Sequence, residues 1–366
     1  MVRYDETLRP ADHPVCGAKV GFASVFSMPQ PPLYQEGSCQ RPTPLGNSPF
    51  QGGVAAPSTK VSDKIRSARH VFIALSLLFF IATTAFGAND CDRACLKTTL
   101  DQYLNAVVKH DPAAAPLFVG FRQTENATVV KTTTGLWKSM TGLGKLQRRY
   151  FDPVSGQAAY YGIIEEGANA DIATVRLKVE EKKITEAEWI ISRKGDIGLN
   201  GTGPNLLDTE NLIANPPPDK PMPRDTKLSR EAMVATVNSY FDGITTHDGS
   251  IIDAYQGCTR IENGVGMTGR GSRGGATSDC TSGLEGINVL NVAARRFPVV
   301  DEEAGVVLAM AVFIRKPGTT TRRNVFSEWF YIDKGKIRTI YTAMFYPGPD
   351  LPVPNWPPYD GNWPVK

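Results

Sequence analysis

Apolar positions fall into two sets with the same internal spacing. Leu96, Leu100, Tyr103 and Val107 stand at i, i+4, i+7 and i+11, the stripe of an amphipathic helix. Met233, Val237, Tyr240 and Ile244 repeat it, each 137 residues further on. At that same offset His110-Asp111 returns as His247-Asp248 and Glu125-Asn126 as Glu262-Asn263. Arg148-Arg149-Tyr150 resembles Arg295-Arg296-Phe297 at 147, and Glu188-Trp189 with Lys194-Gly195 resembles Glu328-Trp329 with Lys334-Gly335 at 140. The same landmarks in the same order predict an internal duplication.

Each copy reads as an amphipathic helix, a short second helix after the His-Asp, then several strands. In "IATVRLKVEEKKITEAEWIISRKG" Val175, Leu177 and Val179 alternate with Arg176, Lys178 and Glu180, the pattern of a half-buried strand. In its partner, "VFSEWFYIDKGKIRTIYTAMF", two β-rich runs flank the turn "DKG". The expected fold class is α+β, helices on one face of a curved antiparallel sheet, built twice with a pseudo-twofold relation. The expected units are 91–197 and 228–347, joined by a Pro-rich linker over 198–227 and followed by a Pro- and Trp-rich tail over 348–366.

The hairpin "YIDKGKIRTI" and the break "KHDP" resemble the SnoaL-like, or nuclear-transport-factor-2-like, fold. The span from Cys91 to about Pro347 is similar to an uncharacterised family of exported two-repeat proteins from fungi and bacteria. The motifs "TEN", "GLW", "FDPVSGQ", "CTRIENG", "RRFPVVDEEAGVVLA" and "DKGKIR" carry that resemblance. It implies two tandem cones and export, and it transfers no activity.

Charge changes the picture little. Residues 1–87 hold eight of the 40 Lys and Arg and five of the 37 Asp and Glu, so the remainder is balanced. A balanced surface offers no field to draw in nucleic acid or anionic lipid, and neither is expected as a partner. Within 61–87, Lys64, Arg66 and Arg69 precede an apolar run from Val71 to Ala82, and Ala85 and Gly87 suit a cleavage site. As a helix that run rises ~18 Å, against ~30 Å of hydrocarbon, which favours a cleaved signal peptide over a membrane anchor. Residues 1–60 show no period and are expected to be disordered, or a leader wrongly assigned upstream of a start near Val61. The expected location is secreted, or the periplasm or cell envelope, with no membrane contact after cleavage.

An oxidising compartment lets the four remaining cysteines pair. Cys258–Cys280 would close a Gly-rich loop and stabilise by roughly 3 kcal/mol, leaving Cys91–Cys95. No metal site and no cofactor is expected from the spacing. The sequons at Asn126 and Asn200 count only in a eukaryotic host.

Four ionisable residues are candidate proton-transfer groups: Glu125, Glu262, His110 and His247. For the histidines, a helix-junction role explains both copies. Asp111 and Asp248 are placed to cap a following helix, and each His meets the negative pole of the preceding one. A Glu inside a cone would have a raised pKa and could act as a base. Alternation sends one Arg of each Arg-Arg pair and one of Tyr160 and Tyr161 to each sheet face. Arg149, Arg296 and Tyr161 are taken as the candidate pocket residues, with a surface salt bridge as the other reading of the arginines. Glu188 and Glu328 read as solvated or edge residues beside core tryptophans. The second copy gains ten residues between its Glu-Asn and Arg-Arg landmarks, with Arg270 and Arg273 among glycines, a loop placed either to cover a pocket mouth or to sit idle on the surface. Two functions fit: a cofactor-independent isomerase- or dehydratase-like enzyme acting on a small apolar molecule, or a non-enzymatic binding or interaction module.

Overall fold

The computed structural model describes residues 90–219, 227–269 and 277–348. The leader over 1–60, the signal over 61–87, the tail from 349, and Arg270 and Arg273 lie outside the described residues. The first half runs α1 (Arg93–Val108), β1 (Leu117–Glu125), β2 (Thr128–Val130), the one-turn α2 (Leu136–Ser139), β3 (Gly142–Asp152), β4 (Gln157–Glu166), β5 (Asn169–Glu180) and β6 (Lys183–Ser192). A short α3 (Thr209–Ala214) lies in the connection. The second half runs α4 (Arg230–Thr246), β7 (Ala254–Glu262), β8 (Val265–Gly266), β9 (Val289–Asp301), β10 (Val306–Arg315), β11 (Val325–Asp333) and β12 (Lys336–Phe345). Among the described residues it has no counterpart of α2.

Local chemistry sets the helix ends. The side chains of Asp92 and Ser229 accept from Cys95 N and Ala232 N and start α1 and α4. Both helices stop at a histidine in the left-handed region, His110 at φ 56° and His247 at φ 60°. The next amides, Asp111 N and Asp248 N, donate back to Ala106 O and Gly243 O. Each Asp side chain then accepts from the amide two residues on, at 3.1 Å for Ala113 N and 2.9 Å for Ser250 N. Each half continues into a three-residue 3-10 turn, Pro112–Ala114 and Gly249–Ile251, rather than a second α-helix.

The fold is α+β with two six-stranded mixed sheets of one topology, β2-β1-β6-β5-β4-β3 and β8-β7-β12-β11-β10-β9. The pairs β1–β6 and β7–β12 are parallel and the others antiparallel. One face of each sheet lies under its own helix: Leu96, Leu100, Tyr103 and Val107 of α1 pack on Val175, Leu177 and Val179. The opposite faces pack on each other through Tyr150, Tyr161 and Ile190 from one sheet and Val299, Met310 and Trp329 from the other. The half-buried reading of β5 is therefore corrected. Arg176 is nearly as hidden as Val175, because a second sheet covers the face that alternation left to solvent. Tyr160 and Tyr161 are likewise both fully buried, on opposite faces.

Contacts across the two sheets are reciprocal. Arg93 donates to Asp301, and Arg230, 137 residues on, donates to Asp152. Phe151 N donates to Asp301 and Val300 N to Asp152. Ser327 and Thr174, which hold the same place in the two sheets, meet at 2.8 Å. This is the pattern of an isologous interface.

Strand pairing also corrects two sequence correspondences. Glu125 pairs with Trp189, but Glu262 pairs with Thr342. Glu188 therefore matches Tyr341, and Glu328 matches Val175. The two Glu-Trp motifs sit on β6 and β11, which are not equivalent strands. Arg148 lies opposite Tyr161 and Arg296 opposite Met310, so Arg296 matches Arg148 rather than Arg149.

Candidate functional site

The second half carries a half-open cavity of about 310 Å³ between α4, its sheet and the disulfide-closed loop. Ile244, Leu284, Ile287, Val289 and Phe313 form an apolar part of the wall, and Arg260, Glu262, Arg315, Asn324 and Tyr346 form a polar part. Glu262 and Arg260 are two residues apart on β7, so alternation puts both on the helix-facing side. Arg260 donates to Glu262 at 2.9 Å and to Glu328 at 3.1 Å. The Tyr346 hydroxyl donates to the other oxygen of Glu262. Glu328 lies behind this row, fully buried, with Oε2 unmatched by any donor among the described residues. Burial raises the Glu328 pKa, and Arg260 opposes the rise. Tyr346 is pushed well above the usual phenol range by burial and by the neighbouring Glu262 carboxylate, so it keeps its proton. Cys258–Cys280 is formed and holds the loop against β7. Cys91–Cys95 is formed at the start of α1.

In the first half the corresponding space is filled. Trp137 of α2 and Trp189 of β6 occupy it with Tyr103. Trp137 Nε1 and the Tyr103 hydroxyl both donate to Gln123 Oε1 at 2.8 Å, and Trp189 Nε1 donates to the Tyr103 oxygen at 2.9 Å. Glu125 accepts from Leu136 N at 2.8 Å, at the start of α2. The N-cap there is Gly135, at φ 58°, where any Cβ would run into the Glu125 carboxylate. Burial raises the Glu125 pKa, opposed by the Leu136 amide and by Arg193. Glu125 and Glu262 thus share a position and differ in surroundings: one receives a helix end, the other faces a cavity.

The structure disperses the remaining sequence candidates. His110 and His247 donate from Nε2 to the backbone oxygens of Met140 and Val289 at 2.8 Å, not to Glu125 or Glu262. Arg149 points to α1, where it donates to Asp101 at 2.7 Å. Tyr161 lies between the sheets, its hydroxyl without a partner among the described residues. Arg296 also lies between the sheets and donates to Glu188 at 2.7 Å. None of these three lines the second-half cavity, but Arg149 lines a separate cleft of about 430 Å³ with Arg93, Tyr150, Tyr331 and Arg338. Glu188 is buried and held by both Arg176 and Arg296, which lower its pKa against the effect of burial, so the solvated reading of Glu188 and Glu328 is overturned. Sequence reasoning missed Arg260, Arg315, Asn324 and Tyr346. For Arg260 a signal existed: it stands two before Glu262, where Gln123 stands two before Glu125.

Among the described residues no group of three His, Cys, Asp or Glu is placed to hold a metal ion, and no helix is long and apolar enough to cross a membrane. Residues 226–344 match the family described as a domain of unknown function (DUF8021). No curated protein shows a match to the chain. Among solved structures the chain is similar to an NTF-2-like protein of unknown function from Burkholderia xenovorans LB400. The identity is 12% and the TM-score 0.24, with 35% of this chain and 91% of that one covered.

Proposed function

We propose that the protein is an exported small-molecule-binding protein of two tandem NTF2-like cones, with its working site in the second. One observation carries this reading: the cavity of about 310 Å³ bearing Glu262 on its wall, where the first half has Trp137 and Trp189. The first cone then serves as the structural partner of the second, and the whole is a dimer folded from one chain. Two disulfides support export. In the enzymatic form of this reading Glu262 removes a proton from a carbon beside a carbonyl and returns it at another atom. That is isomerisation or dehydration chemistry without a cofactor. A binding module without chemistry is the second reading. It is favoured by the fact that both oxygens of Glu262 already hold donors, from Arg260 and Tyr346.

Mass spectrometry of molecules that co-purify with the whole chain tests the site. The expected result is a small molecule retained by the wild type and lost in Leu284→Trp, which fills the cavity from its apolar wall. Equal retention by both proteins would place the ligand elsewhere. Glu262→Gln separates the two readings: turnover of that molecule is abolished with binding kept if the site is catalytic.

A further inference from the structure

We infer that the second-half cavity takes a molecule with one carboxylate on an apolar body, the carboxylate seated on Arg315 and Asn324. This rests on the binding reading of the cavity and adds the ligand's charge and orientation. Two guanidinium groups face the cavity, and they are in different states. Arg260 lies between the carboxylates of Glu262 and Glu328. Arg315, at the end of β10, has no such partner among the described residues. Its hydrogen bond goes to the neutral side-chain oxygen of Asn324, its Nε is buried without an acceptor, and its planar head lies by Phe313.

A guanidinium has five N–H donors and cannot shed its charge, so a half-buried one without an anion is costly. Burial pulls the Arg315 pKa below its usual range, opposed by Tyr346 and Glu262, which reports the same deficit. Asn324 has a similar one. It is 5% exposed, and its amide donates to the thioether of Met344, a weak acceptor. A carboxylate bridging Arg315 and Asn324 would satisfy both. The acid Glu262 in the same wall limits the tolerated charge to one, which argues against phosphate esters. Ile244, Leu284, Ile287 and Phe313 leave the rest of the ligand an apolar bed.

Calorimetric titration of the whole chain with octanoate, octanamide and octylamine isolates the head group. Octanoate is expected to bind about ten-fold or more tightly than octanamide, and octylamine most weakly. Arg315→Gln is expected to bring octanoate down to the octanamide level while leaving octanamide unchanged. Asn324→Asp, which supplies a carboxylate to Arg315 from within, is expected to do the same and covers the case in which Arg315→Gln fails to fold. Octanamide binding as tightly as octanoate would overturn the inference and leave the cavity reading standing. Binding of none of the three would remove both.

Discussion

Two asparagines carry the same acceptor pattern, Asn-x-Thr, in opposite settings. Asn200 is exposed in a turn. Asn126 is at φ 49°, and its amide group both donates to Ile191 O at 3.0 Å and accepts from Ile191 N at 2.8 Å, clasping the ends of β1 and β6. Folded protein secreted from a eukaryotic host is therefore expected to carry a glycan at Asn200 only, read as an intact-mass shift that Asn200→Gln abolishes. Asn263 makes the same clasp with Met344 and is fully buried. A second residue-scale expectation concerns Asp171, pushed up to about 6 by burial, opposed by the Lys194 amide and reinforced by Glu166. A carboxyl with a raised folded value binds its proton more readily folded than unfolded. Relative to Asp171→Asn, the wild type is then most favoured below the ordinary value of 3.8 and loses that advantage as pH rises through about 6. Denaturation midpoints of both proteins across that range check the sign. At this scale the sequence is informative where partners are local. The Asp111 and Asp248 caps need only a neighbour two residues on, whereas Arg315, Asn324 and Tyr346 converge from the ends of β10, β11 and β12 and have no sequence signature.

The one-turn helix α2 decides which half has room. Its N-terminus rests on Glu125, and it places Trp137 in the interior. Trp137→Ala is expected to lower stability by about 3–5 kcal/mol, the usual cost of deleting a buried aromatic. It should also raise the stoichiometry of indole binding by one site. An unchanged midpoint, with no added site by calorimetry, would show that α2 is not what closes the first half. The repeated helices are legible because a 3.6-residue period with four apolar members is hard to mimic by chance. Strand correspondences are not, because the two-residue period survives a slip from one strand to a neighbour. Both Glu188-Trp189 and Glu328-Trp329 satisfy the alternation, and only the pairing of β1 and β7 with their parallel neighbours tells them apart. The ten-residue gain in the second half is visible, but its length does not announce that the second-half cavity lacks the tryptophans of the first half.

At the scale of the molecule, each sheet is covered by the other, a fact that no single-strand pattern contains. Alternation reads as half-buried because the sequence shows which residues are polar and not that Arg176, Glu188 and Arg296 pair with one another. Expressed alone, residues 91–197 or 228–347 expose an apolar sheet face with buried-type charges. Neither is expected to give a folded, monodisperse species by size exclusion with light scattering. The intact chain is expected to unfold in one cooperative step by two optical probes. A stable monomeric second half would show that the sheet contact is dispensable.

The reciprocal interface is not symmetric throughout. Arg296 meets Glu188, whereas its counterpart Arg148 finds Tyr341 in the matching place and donates instead to Pro217 O of the connecting segment. A symmetric pair of second halves would leave Arg296 without its acid. A symmetric pair of first halves would bring two glutamates but lose the carbonyl and the tyrosine. The second half thus lacks the acid that its own Arg296 uses, and the connecting segment supplies part of the contact through Pro217 O. The Arg296–Glu188 pair therefore works as a key: it matches a second half to a first half and not to another second half.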